Sequence, residues 1–163
     1  MKRILSLMSA VVVSFMALGH DEISGKVVSV IDGNTLEVID EANETYRILL
    51  HGIDCPELEQ EYGAKAKKLL EKLVLEKEVQ VRIQGKDRWG NRLGIILVKG
   101  DKDPRMDLLK EGLAWTSEKN PIQELEVVKE KARENSVGLW KSENPTPPWI
   151  FRRQQTMLQP KSS

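Results

Sequence analysis

The chain predicts an α+β fold, a small closed barrel of five short strands with one inserted helix and further helices at the C-terminal end. Three observations carry this. Three β-type segments precede the first helical pattern and two follow it, short polar turns separate the strands, and two more helical patterns come after the fifth strand. With 163 residues and 40% hydrophobic content, the chain has enough apolar side chain for one packed core.

Ile23 to Ile31, Thr35 to Ile39 and Thr45 to Leu50 are β-branched or alternating. They are separated by Asp32-Gly33-Asn34 and by Glu41-Ala42-Asn43-Glu44, so they predict a three-stranded meander. A helix is predicted over Ala64 to Leu75, where Ala66, Leu69, Leu70, Leu73 and Val74 recur at helical spacing. Lys65, Lys67, Lys68, Glu71 and Lys72 fall on its other side and form a solvated face. Val79 to Ile83 alternates as the fourth strand, and Leu93 to Val98 is the fifth, after a turn at Asp87 to Asn91. Met106 to Trp115 predicts a short helix. Gln123 to Asn135 predicts a longer one, entered near Asn120-Pro121 and stopped at Gly138, where glycine accepts a left-handed cap. Asn144-Pro145-Thr146-Pro147-Pro148 predicts an irregular tail, with a polar, mobile end from Gln154 to Ser163. This strand and helix order is that of an OB-fold, a Greek-key barrel whose loops and one face bind oligonucleotides in many proteins.

Residues 1–19 stand apart. Lys2 and Arg3 precede an uncharged apolar run from Ile4 to Leu18, and Ala17-Leu18-Gly19 has the small residues of a peptidase site. The segment predicts an export signal that is cleaved, placing the protein in the periplasm or outside the cell, with an uncleaved anchor as the rival reading. After cleavage no stable membrane span is expected. The predicted globular domain covers residues 24–142 and the tail residues 143–163. Cys55 is the single cysteine, so no intramolecular disulfide can staple the fold. Loss of Lys2 and Arg3 leaves 23 basic residues against 25 acidic, a formal charge of −2. Proteins that grip nucleic acid through phosphates usually present a basic face, and this chain has no global excess to offer.

Ile31-Asp32-Gly33-Asn34-Thr35, His51-Gly52-Ile53-Asp54-Cys55-Pro56-Glu57 and Asp87-Arg88-Trp89-Gly90-Asn91-Arg92 occur in that order. Gly112-Leu113-Ala114-Trp115 and Gly138-Leu139-Trp140 follow, then Asn144-Pro145-Thr146-Pro147-Pro148-Trp149. Taken together over Gly25 to Phe151, these segments resemble the thermonuclease (staphylococcal-nuclease-like) family, in its exported bacterial branch. The resemblance implies calcium-dependent endonuclease chemistry. Two aspartates hold a calcium ion, a glutamate handles the attacking water, and two arginines bind the phosphate.

Position by position, the resemblance places the second metal aspartate at Asp54 and the glutamate base at Glu57. The first metal aspartate falls on Asn34, which keeps an oxygen but loses the charge, so calcium binding is expected to be weak or absent. The two arginine positions fall on Leu49 and Asn91. Neither residue can make the bidentate phosphate contact of a guanidinium. Arg47 lies about 6–7 Å from Leu49 along the same strand, and Arg92 is one residue past Asn91, so both are candidate substitutes. Trp89, with Arg88 beside it, is a candidate stacking platform for a base.

The reading that follows is a thermonuclease-fold exported monomer with a degraded active site, weak or inactive as a nuclease, left as a nucleic-acid-binding or interaction module, with single-stranded DNA or RNA as its candidate nucleic-acid partner. Two alternatives stay open. One is an active calcium-dependent endonuclease that uses Arg47 and Arg92 as displaced phosphate ligands. The other is a module that binds a protein or peptide. Cys55 is expected to be a small buried residue without a catalytic role, and Trp115, Trp140 and Trp149 to be core or tail anchors. His20 and His51 form no ligand pair.

Overall fold

The structure, a computed structural model, describes residues 21–158. The predicted export signal and the last residues of the tail, 159–163, lie outside them. Among the described residues seven strands are formed: β1 (Glu22–Val30), β2 (Thr35–Asp40), β3 (Thr45–Leu50), β4 (Ile53–Asp54), β5 (Glu78–Lys86), β6 (Arg92–Val98) and β7 (Trp115–Thr116). The α-helices among these residues are α1 (Gly63–Val74), α2 (Pro104–Lys110), α3 (Gln123–Glu134) and α4 (Pro148–Leu158). A 3₁₀ turn covers Gly138–Lys141.

The five long strands close a barrel in the order β1-β2-β3-β6-β5, with β5 returning to β1. All pairings are antiparallel except β3 with β6, where Leu49 faces Leu93. Inward residues of this barrel are β-branched or leucine: Val27, Leu36, Val38, Ile48, Val81 and Ile96 are fully buried. Alternation along each strand puts these side chains on one face, so the barrel interior is a single apolar core. Helix α1 closes one end by burying Ala66, Leu70 and Val74, and its lysine face is solvated as expected, with Lys65, Lys68 and Lys72 exposed.

Helix α2 begins with Asp103 as N-cap, whose carboxylate accepts from the Arg105 amide, and with Pro104 at the first helical position. It ends at Lys110, short of the Trp115 predicted. Trp115 instead pairs in β7 with Asp54 of β4. Helix α3 also ends early, at Glu134. Ser136 already has a φ of 49°, and Gly138, expected to stop the helix, starts the following 3₁₀ turn with a φ of 56°.

The C-terminal segment departs most from expectation. Residues 148–158 are helical, not an irregular or mobile tail. Pro148 cannot sit inside a helix but suits its first turn, where the missing N–H has no intrahelical partner to lose. Trp149 then packs edge-on against Trp115 at 5.6 Å between ring centroids, and Trp115 against Trp140 at 4.7 Å, so an aromatic stack pins α4 to the domain. None of the described helices is long and apolar enough to cross a membrane.

Candidate functional site

A cleft of about 1390 Å³ opens at one end of the barrel, and Asn34, Leu49, Asp54, Glu57, Asn91 and Arg152 are on its walls. Its acidic floor is built from two short-range devices. Strand β4 pairs with β7, which fixes Asp54 opposite Trp115. The turn after it is held by Gln60, which accepts from the Glu57 amide at 2.9 Å and donates to the Thr146 carbonyl at 3.0 Å. Gly63 is required there by close approach, since a Cβ on it would lie 1.9 Å from the Glu57 carbonyl oxygen.

Asn34 is in the cleft but its side chain is committed. Its Oδ1 accepts from the Cys55 amide at 3.0 Å, and its own amide donates to Asp32 Oδ1 at 2.9 Å. The β1–β2 turn is thereby tied to the backbone beside Asp54. Asn91 is committed likewise: its Nδ2 donates to Asp87 Oδ2 at 2.8 Å and its amide to Asp87 Oδ1 at 2.9 Å, closing the turn that carries Arg88 and Trp89. Leu49 is half-buried. Trp89 is 71% exposed, with the Arg88 guanidinium 3.9 Å from its ring centroid, a cation–π pair displayed to solvent at the cleft edge.

The candidate substitutes point elsewhere. Arg47 donates to Glu37, its direct cross-strand neighbour on β2, at 3.3 Å. Arg92 lies 4.7 Å over the Tyr46 ring. Neither forms a wall of the cleft. The guanidinium that does reach the acidic pair belongs to Arg152 of α4. Its Nη1 donates to Asp54 Oδ1 at 3.2 Å and to Glu57 Oε1 at 2.5 Å, and its Nη2 donates to Asp54 Oδ2 at 2.7 Å. Sequence reasoning missed it because the segment reads as tail. The available signal was Pro148 as a helix start followed by Trp149, Arg152 and Thr156, spaced to share a face.

Burial raises the Asp54 carboxyl above its ordinary value, although Arg152 pulls the other way. The carboxylates in turn raise the Arg152 guanidinium, chiefly through the Asp54 hydrogen bond. Cys55 is 2% exposed, its Sγ donates to the Gly33 carbonyl, and burial pushes its thiol well up, so it is a packed thiol and no nucleophile. The tryptophan expectations hold, since Trp115 packs against both Trp140 and Trp149.

Because Asp54 is raised in the folded state, the folded protein holds a proton that the unfolded chain has released. Stability attributable to Asp54 therefore falls as pH rises from about 3.9, the ordinary value, through the folded value. Arg152→Gln removes the opposing cation and should move the Asp54 titration further up, read by carboxyl carbon NMR. A downward or absent movement would show that the ion pair does not form in solution.

A calcium ion, implied by the sequence resemblance, requires several hard oxygens converging on one point. Both Asp54 oxygens and one Glu57 oxygen face Arg152, Asn34 Oδ1 faces an amide, and the described residues contain no cluster of three or more His, Cys, Asp or Glu side chains suited to a metal. This donor set does not fit a resident calcium ion.

The family model described as "Staphylococcal nuclease homologue" matches residues 47–142. A protein described as an uncharacterized endonuclease from Escherichia coli O157:H7 is 36% identical over 135 residues, covering 82% of this chain and 88% of that one. The micrococcal nuclease of Shigella flexneri is 32% identical over 157 residues, covering 89% of each chain. An uncharacterized endonuclease of Haemophilus influenzae is 31% identical over 140 residues, covering 85% of this chain and 78% of its own. With the closed five-stranded barrel and the cleft formed by the resembling segments, these matches place the chain in the staphylococcal nuclease family.

Proposed function

We propose that this chain is an exported member of the nuclease family whose phosphodiester-cleaving site is degraded and whose cleft binds single-stranded nucleic acid. The observation that carries the reading is the state of the phosphate clamp. Leu49 and Asn91 stand at the two arginine positions, and the one guanidinium found at Asp54 and Glu57 among the described residues is bonded to those carboxylates. Arg47 and Arg92, which an active enzyme would need, are engaged with Glu37 and Tyr46, and this counts against the active-endonuclease alternative.

Magnitudes support the same choice. Losing one preorganised donor to a developing oxyanion costs about 10²–10³ in rate, and a metal carboxylate and two arginines are replaced together. What the cleft retains is suited to binding. Trp89 offers an exposed aromatic face, worth ~1–3 kcal/mol per stacked base, and Arg88, Lys119 and Arg153 line the same cleft. Asp32, Asp87 and Glu118 share these walls, so binding should be weak, in the range of ~10⁻⁴–10⁻⁶ M usual for non-specific contacts.

The purified protein, supplied with calcium and single-stranded DNA beside an active family member, is expected to cleave at least about 10³-fold more slowly than that control. Robust hydrolysis that disappears with Glu57→Gln would overturn the degraded-site reading.

A further inference from the structure

We propose that Arg152 is the built-in cation of the Asp54–Glu57 pair, occupying the place of a divalent metal and offering its free edge as a metal-independent docking point for a phosphodiester. The inference rests on the nucleic-acid-binding reading above and names how that cleft takes hold of a phosphate.

Two carboxylates side by side repel an approaching phosphate unless a cation sits between them. Asp54 and Glu57 keep only 24% and 31% of their side-chain surface exposed, so solvent screens them incompletely. Arg152 supplies the countercharge through three hydrogen bonds, all from its two terminal nitrogens. A guanidinium has five N–H donors in a planar fork. The carboxylates take both hydrogens of Nη1 and one of Nη2, which leaves Nε–H and the second Nη2–H. These two lie parallel on the opposite edge, the geometry that grips two phosphate oxygens at once. Neither makes a hydrogen bond among the described residues, and the Arg152 side chain is 48% exposed and lines the cleft.

The helix that carries Arg152 is also placed for this task. Trp149, three residues earlier, anchors on Trp115, whose strand partner is Asp54. The guanidinium is therefore positioned by the same aromatic stack that positions its acceptor. One face of Arg152 neutralises the floor of the cleft while the other presents donors to the ligand.

The test uses the full mature chain and a fluorescein-labelled single-stranded oligonucleotide, followed by anisotropy in EDTA and in calcium. The wild type should bind equally in both. Arg152→Gln should weaken binding about tenfold or more, as expected for loss of hydrogen bonds to a charged group. Arg152→Lys keeps the charge and the ion pair but loses the fork, and should weaken it nearly as much. Arg133→Gln removes the same charge outside the cleft and serves as the control. Inorganic phosphate competing as well as the oligonucleotide would assign the edge to a free phosphate and overturn the phosphodiester part.

A calorimetric calcium titration forms the second arm. The wild type should give no binding heat, and Arg152→Gln should acquire weak calcium binding on the exposed carboxylates. Calcium-strengthened oligonucleotide binding, stoichiometric calcium uptake with Arg152 in place, or unchanged affinity in both variants would each overturn the inference. If the wild type binds no oligonucleotide at all, the binding reading fails with the docking point, and calorimetry still decides whether Arg152 excludes the metal.

Discussion

Asn34→Asp, Leu49→Arg and Asn91→Arg, combined with Arg152→Gln, should raise calcium-dependent cleavage of single-stranded DNA from background by about 10³-fold or more. Each replacement suits its local geometry. A carboxylate at position 34 can accept the Cys55 amide as Asn34 does and still offer its second oxygen to a metal. Leu49 is half-buried on the cleft wall, so an arginine there keeps its head in water and avoids the cost of a buried unpaired charge. Asn91→Arg gives up one side-chain bond to Asp87, about 1 kcal/mol, while the backbone bonds that close the turn remain. Arg152→Gln is included because both Asp54 oxygens accept from its guanidinium, and removing it frees them for a metal. Any one substitution alone should change the rate less than tenfold, roughly, because such groups act as a unit. A folded quadruple variant that stayed inert would locate the defect in the frame of the cleft instead of in its missing groups.

The largest effect on stability should come from Arg105. Its side chain is buried, pairs with Asp103 at 2.6 Å, and donates from Nη1 to the His51 carbonyl at 2.7 Å. It thus links the first turn of α2 to the loop between β3 and β4, which leads straight into Asp54. Arg105→Met strips the guanidinium from the Asp103 carboxylate, leaving it only the backbone amide of residue 105, and leaves the His51 carbonyl without that donor, so it should cost about 3–5 kcal/mol. Denaturant unfolding measures it as a lower midpoint at unchanged slope. Arg105→Met with Asp103→Ser keeps an N-cap hydroxyl and removes the orphaned charge, so it should recover part of the loss. A single variant within about 1 kcal/mol of wild type would mean that water satisfies these groups and the pair is not a brace.

Much of this molecule is legible in the sequence. The barrel strands announce themselves because one face of each is buried, which forces a period of two, and Thr45–Leu50 is found with its observed bounds. Two-residue strands such as β4 and β7 carry no period, so the pairing that fixes Asp54 is invisible until the chain is folded. Asn34, Leu49, Asp54, Glu57 and Asn91 do gather in one cleft, as the family resemblance implies. Arg47 and Arg92 do not join them, because a cross-strand glutamate and a neighbouring tyrosine hold them first. The C-terminal helix was hidden by its prolines. Asn144 to Pro147 is irregular as expected, but the last proline of the run starts a helix where the others break one.

Arg152 lies 98 residues from Asp54 and 95 from Glu57. All five staves of the barrel exist once Val98 has been made, and α1 is already in place to close it. A chain synthesised from its N-terminus can therefore pair its barrel strands while the acidic pair is still bare, and the pair is neutralised only after α4 has been made. Completion of the cleft is a late event in the life of each molecule, separated in time from the folding of the domain that bears it.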